Sequence, residues 1–141
     1  MKINKLNSAF AVGLLIAAVL ACNFGTSTAR LRNARLSRDK EGINSVNTYA
    51  PMDDVFAVIE VTSAPDKTSI KCKVIVEAVE GIESDKVVFD RSLSLTGNIR
   101  QAYFQIHPPG AGWPEGKYKI EIYLAPQGGE SQLQETLHYR V

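Results

Sequence analysis

The sequence predicts an all-β fold: an antiparallel sandwich of about seven strands. Three observations carry this. Apolar and polar residues alternate over much of the chain, as in Lys117-Tyr118-Lys119-Ile120-Glu121-Ile122. A period of two marks strands with one buried and one wet face, the pattern of antiparallel sheets. Turn-forming clusters recur about every ten residues, the spacing of a sandwich or barrel, and no stretch sustains a helical period.

The elements follow in order. Ala29 to Arg38 contains Leu31, Ala34 and Leu36, which fits strict alternation only with a bulge. Asp39-Lys40-Glu41-Gly42 is a turn. Asn44 to Asp54 is polar, contains Pro51, and reads as a loop with a short edge pairing near Val46 to Tyr49. Asp54 to Thr62 is a strand with Val55, Ala57, Ile59 and Val61 on one parity and Phe56 and Val58 on the other, so both faces are partly covered. Ala64-Pro65-Asp66-Lys67 turns the chain, Pro65 presetting φ.

Thr68 to Ala78 places Ile70, Cys72, Val74 and Val76 on one parity and Lys71 and Lys73 on the other. After the loop Glu80 to Asp85, Lys86 to Leu95 puts Val87, Phe89, Leu93 and Leu95 on one parity. Thr96-Gly97-Asn98 turns into Arg100 to His107, with Ala102, Phe104 and Ile106 inward. Pro108-Pro109-Gly110-Ala111-Gly112 forbids a ladder. Lys117 to Leu124 and Leu133 to Val141 form a hairpin joined by Pro126-Gln127-Gly128-Gly129-Glu130, with Leu133, Leu137, Tyr139 and Val141 facing the core.

The chain starts differently. Lys2 and Lys5 precede an uncharged apolar run from Ala9 to Ala21. As a helix this run spans about 20 Å, short of the roughly 30 Å hydrocarbon core, so a cleaved signal is the better reading. Val19-Leu20-Ala21-Cys22 resembles the lipobox of bacterial lipoproteins: aliphatic at −3, small at −1, cysteine at +1. The resemblance implies a diacylglycerol on the Cys22 sulfur and a cut after Ala21. The organisation is then a signal peptide over 1–21, a lipid-anchored tether over 22–28 and one β-domain over 29–141. An ordinary secretory cut, or an uncleaved anchor, is the alternative. Asn23 follows the cysteine, and in enteric-type sorting a residue other than Asp there points to the outer membrane.

Removing residues 1–21 takes away Lys2 and Lys5 and leaves 14 basic against 15 acidic residues. That balance argues against nucleic acid, which needs a basic face. Arg30, Arg32, Arg35, Arg38 and Lys40 crowd the part nearest the anchor, while the chain from Ile43 on carries 9 basic and 13 acidic residues. With lipid on Cys22, Cys72 has no partner in the chain and reads as a small buried hydrophobe.

Gly116-Lys117-Tyr118-Lys119-Ile120 resembles the tyrosine-corner sequence of immunoglobulin-like domains, with Ile120 where those carry a disulfide cysteine. The resemblance implies an Ig-like sandwich, with Tyr118 opening the sixth strand and its hydroxyl bonded to backbone upstream. The longer stretch Trp113-Pro114-Glu115-Gly116 through Leu124 is similar to the C-terminal half of many bacterial Ig-like lipoproteins.

Little chemistry is written here. The two histidines, His107 and His138, lack a second ligand at metal spacing. No nucleophile elbow, phosphate loop or dinucleotide fingerprint occurs, so neither an enzyme nor a cofactor is expected. Glu80, Glu83 and Asp85, with Glu77 and Asp90, form an acidic cluster; a solvated edge is the simpler reading and a weak Ca²⁺ site the alternative. Trp113, the single tryptophan, reads as a ring capping the core. Its functional alternative is a partner- or sugar-binding aromatic, joined by Tyr103 and Tyr123 on the outward parity of strands taken as neighbours. The expected protein is therefore a lipid-anchored, non-catalytic module of the bacterial cell envelope, on the periplasmic or cell-surface side. It is held to the membrane through Cys22 and meets an envelope protein. A structural subunit of an envelope assembly is the competing class.

Overall fold

The computed structural model describes residues 30–62, 64, 67–95, 99–126 and 129–141; the leader, Cys22 and the tether lie outside them. The strands are β1 Arg30–Ser37, β2 Val55–Thr62, β3 Thr68–Val79, β4 Val87–Leu95, β5 Gln101–Ile106, β6 Gly116–Ala125 and β7 Gln132–Arg140. They form two antiparallel sheets, ordered β1-β2-β5 and β4-β3-β6-β7, that pack face to face as a β-sandwich. β4 pairs with β3, whereas in the antibody constant arrangement the fourth strand joins the fifth.

Period-two alternation builds the core. Val55, Ala57, Ile59 and Val61 of β2 meet Ile70, Cys72, Val74 and Val76 of β3 and Tyr118, Ile120, Ile122 and Leu124 of β6, all buried. Each fully buried Val, Leu or Ile contributes about 1.5–3 kcal/mol of transfer free energy. At the start of β6 the chain passes so close to β3 that a Cβ on Gly116 would stand 2.4 Å from the Ala78 carbonyl oxygen. Only glycine fits. Two residues on, the Tyr118 hydroxyl donates to the Pro114 carbonyl at 2.7 Å, the upstream backbone bond that the tyrosine-corner resemblance implies.

Three bulges shape the edges. In β1 the register shifts between Arg32 and Arg35, with Asn33 at φ 49°, a conformation asparagine tolerates. This is the bulge the spacing of Leu31, Ala34 and Leu36 requires. The other two overturn sequence expectations. In β4, Phe89 pairs with Val74 but Val87 pairs with Ile75, so Val88 is the extra residue. Val87 therefore leaves the core parity and lies beside Ile75 on the outer face, 45% exposed. In β7, Glu135 pairs with Ile122 but Leu133 pairs with Tyr123, so Gln134 is extra. Leu133 turns outward and is half exposed. A one-residue slip moves side chains to the opposite face, which the period of a single strand does not reveal.

The β1–β2 connection covers the outer face of the smaller sheet. Val58 points outward from β2 yet is fully buried and apart from the main core. Arg35 Nε, on one side of β2, donates to the Gly42 carbonyl at 2.9 Å. Gln101 Nε2, on the other side, donates to the Lys40 and Glu41 carbonyls at 3.3 Å each. These bonds hold residues 40–42 across β2. Further on, Tyr49 N–H donates to the Arg140 carbonyl and Arg140 N–H to the Asn47 carbonyl, both at 2.9 Å. The expected edge pairing near Val46 to Tyr49 is thus made with the end of β7.

Asp39 organises this connection. Its carboxylate accepts from Ile43 N–H at 2.9 Å, Asn44 N–H at 2.8 Å and the Ser37 hydroxyl at 3.2 Å. These donors, the Ile43 amide first, pull its pKa to about 2. The folded value is depressed, so the stabilisation is complete above the unfolded value of about 3.9 and is lost as pH falls through about 2. A carboxyl titration by NMR is expected to give that low midpoint; an ordinary midpoint near the unfolded value would remove this role from Asp39.

Candidate functional site

The three aromatic candidates do not form one surface. Trp113 is 5% exposed and closes the end of the sandwich where β6 begins. Its Nε1–H donates to the Asp53 carbonyl at 3.1 Å, and its ring packs edge-on against Tyr118 and Tyr139. Tyr118 and Tyr139 stack at 5.1 Å, and Tyr49 meets Tyr139 edge-on at 5.6 Å. Trp113 is therefore a core cap, and the exposed-aromatic reading of it does not hold. Tyr139, 2% exposed, buries a hydroxyl with no hydrogen-bond partner among the described residues.

Tyr103 and Tyr123 are both on outward faces, but of different sheets. β5 and β6 are not neighbours, which corrects the sequence expectation. Tyr103 is 44% exposed on the three-stranded sheet, its ring 6.3 Å from that of Phe56. Tyr123 sits in a charged network on the four-stranded sheet. The Lys73 ammonium stands 5.3 Å from its ring centroid. Its hydroxyl donates to Glu121, which Lys119 also contacts at 3.3 Å. The Tyr123 bond, followed by Lys119, holds the Glu121 carboxyl below the usual range.

Glu80, Glu83 and Asp85 are exposed on the β3–β4 loop. Among the described residues no three His, Cys, Asp or Glu side chains converge to hold a metal ion, so the weak Ca²⁺ candidates find no support in the geometry. Cys72 is fully buried, and burial pushes its thiol up to about 12. Since the thiolate is the reactive form, native Cys72 is expected to resist a thiol reagent at pH 8 at least about a hundredfold relative to the urea-unfolded chain. Equal rates before and after unfolding would contradict the buried placement.

The histidines each meet one carboxylate: His107 Nδ1 lies 2.9 Å from Asp54 Oδ1 and His138 Nδ1 lies 2.7 Å from Glu77 Oε1. Gln105 Nε2 donates to the other Asp54 oxygen at 2.8 Å and is the first cause of that carboxyl's lowered pKa. Among the described residues no hydrogen bond joins either imidazole to a serine, threonine or cysteine.

The surface least like an ordinary solvated face is the open side between β4 and β5. Three strands cover four. β1 approaches β7 on one side, so the deficit falls on the other, at β4. Phe89, Arg91 and Leu93 share the inward parity of β4, opposite Val74, Cys72 and Ile70 of β3. Their β3 partners are fully buried, yet Leu93 is 38% exposed, Arg91 is exposed and Phe89 is only partly covered. A cleft of about 500 Å³ opens here, lined on the other wall by Tyr103, Phe104 and Gln105. The Arg91 guanidinium stands 5.9 Å from the Phe89 ring and makes no ion pair among the described residues. Parity reasoning missed this site because it assigned Phe89 and Leu93 to a closed core; the signal available was Arg91 between them on the same parity.

Compared with protein-family models and with curated proteins, the chain matches none.

Proposed function

We propose that the chain is a membrane-anchored, extracytoplasmic lipoprotein whose β-sandwich acts as a non-catalytic protein-binding or accessory module. The observation that carries the anchor is Val19-Leu20-Ala21-Cys22 at the end of a basic-then-apolar leader. A single acyl chain binds membranes only marginally, so the two or three chains of a bacterial lipoprotein are what make attachment stable.

The direction of β1 supports a consistent orientation. Arg30 pairs with Thr62 at the end of the sandwich that also carries the β2–β3, β4–β5 and β6–β7 connections. A tether reaching Arg30 puts that end toward the bilayer. Trp113 and the β3–β4 loop then face away, roughly 26 Å along an eight-residue strand. Arg30 and Arg32 are exposed near the proximal end, where anionic headgroups would meet them, whereas Arg35 and Arg38 are turned to Gly42 and Asp53.

The binding half of the reading rests on the exposed, largely apolar cleft between β4 and β5. Two measurements test the whole. The N-terminal peptide of protein purified from its host's membranes is expected to begin at Cys22 with a diacylglycerol thioether; an unmodified Met1 start on a cytosolic protein would end the account. Crosslinking in intact cells is expected to yield a specific adduct, and a domain that stays monomeric and recovers nothing removes the binding role.

A further inference from the structure

Resting on the binding-module reading, we propose that the β4–β5 cleft takes an extended segment of a partner protein as a fourth strand on β5, and that this segment carries an acidic residue flanked at i−2 and i+2 by apolar ones. Peptides commonly dock this way, backbone bonds supplying affinity and alternate side chains specificity.

The edge is ready for it. Val61 N–H donates to the Arg100 carbonyl at 2.8 Å, which fixes the phase of the β2–β5 ladder. Hydrogen-bonded and non-bonded pairs alternate in an antiparallel ladder. The amides and carbonyls of Gln101, Tyr103 and Gln105 therefore point away from β2, toward the cleft side. Proteins guard such edges with bulges, charges or proline. β1 and β4 are bulged and charged. β7 is bulged, and residues 47–49 pair with its end. β5 alone of the four has no register shift, no charged residue and no proline.

The occupant's pattern follows from the two walls. β5 runs Ala102, Phe104, Ile106 on its inward parity, antiparallel to β2. β4 presents Leu93, Arg91, Phe89 in the same spatial order. A strand beside β5 sets three inward side chains at i, i+2 and i+4. The outer two meet Leu93 and Phe89, and the middle one meets Arg91. Burying an arginine without a counter-charge is costly, so the middle residue is Asp or Glu. The chain's own Asn23 to Ala29 contains no acid. A second copy's β5 would set Phe104, not a carboxylate, against Arg91. Both occupants fit less well than a separate acidic-apolar strand.

The probe is an acetylated, amidated heptapeptide in which valine, aspartate and valine alternate with threonine, added to the full chain in detergent at up to about 1 mM, a weak-binding range. Expected is a slowing of amide exchange at Tyr103 and Gln105 by roughly tenfold or more, with Ala102 and Phe104, already bonded to β2, little changed. Arg91→Glu should transfer the protection to the peptide with lysine in place of aspartate, and the milder Arg91→Gln should weaken both. No slowing at the top concentration, or slowing indifferent to Arg91, overturns the proposal. Self-association that protects the same amides without peptide assigns the edge to a second copy and overturns it too. In cells, a photocrosslinking residue at Leu93, Met52 or Arg140 separates the two levels. Adducts from Met52 or Arg140 but not Leu93 keep the binding module and overturn this site; no adduct from any position overturns both.

Discussion

Replacing Trp113 with alanine is expected to cost about 4 kcal/mol of folding stability, within the usual range for a buried aromatic truncated to alanine. The ring is 5% exposed and packs against Tyr118 and Tyr139, which themselves stack. Its removal opens a cavity that these rings cannot collapse into, because Tyr118 is tied to the Pro114 carbonyl and Tyr49 to the Ser37 carbonyl. The Asp53 carbonyl also loses its indole donor. Domains of this size typically hold about 5–15 kcal/mol in total, so a large fraction goes, and Tm should fall by roughly 15 °C. Trp113→Phe keeps most of the apolar contact and should cost about half as much. Tyr103→Ala removes an exposed ring and should fall within about 1 kcal/mol of the parent. Urea denaturation followed by the fluorescence of the single tryptophan supplies the reference curve, and circular dichroism follows the variants that lack it. A Trp113→Ala protein that melts like the parent would return Trp113 to the surface and revive it as a partner contact.

The fold was legible where each strand reports on itself. Ile70, Cys72, Val74 and Val76 alternate with Lys71 and Lys73, and the structure buries the first set and leaves the second partly exposed. The bulge at Asn33 was legible because Leu31, Ala34 and Leu36 break parity within one strand. Gly116 and Tyr118 were legible as a local motif whose hydroxyl bond spans four residues. What failed depends on a second strand. The bulges at Val88 and Gln134 exist only as mismatches against β3 and β6, so Val87 and Leu133 were assigned to the wrong face. Tyr103 and Tyr123 lie on strands consecutive in sequence but paired in different sheets. The β4–β5 cleft was least legible of all, because it arises from three strands facing four and from no single segment. The acidic loop, read as a solvated edge with a weak metal alternative, stays exposed without converging.

Cys22→Ser is expected to abolish lipid attachment and, once the leader is cut, to release the protein from the membrane into the soluble extracytoplasmic fraction with the sandwich intact. The serine hydroxyl is isosteric with the thiol but is a far weaker nucleophile near neutral pH, so it does not take the diacylglycerol. Without it the leader either stays uncut or is cut by an ordinary signal peptidase after Ala21, since Val19 and Ala21 satisfy that enzyme class as well. These outcomes differ in mass by the whole of residues 1–21, so mass spectrometry separates them. The melting temperature should not change, because the described core is built from residues of the sandwich, Leu36 to Tyr139. Loss of the anchor should also weaken partner capture in cells without weakening the purified interaction, since a tether confines both molecules to one surface and raises their effective concentration. A Cys22→Ser protein that stays on the membrane and is lighter than the parent only by the exchange of sulfur for oxygen would mean that the sulfur carries no lipid. The apolar run would then be the anchor itself, short as it is, and the orientation of the sandwich relative to the bilayer would have to be rebuilt from that helix.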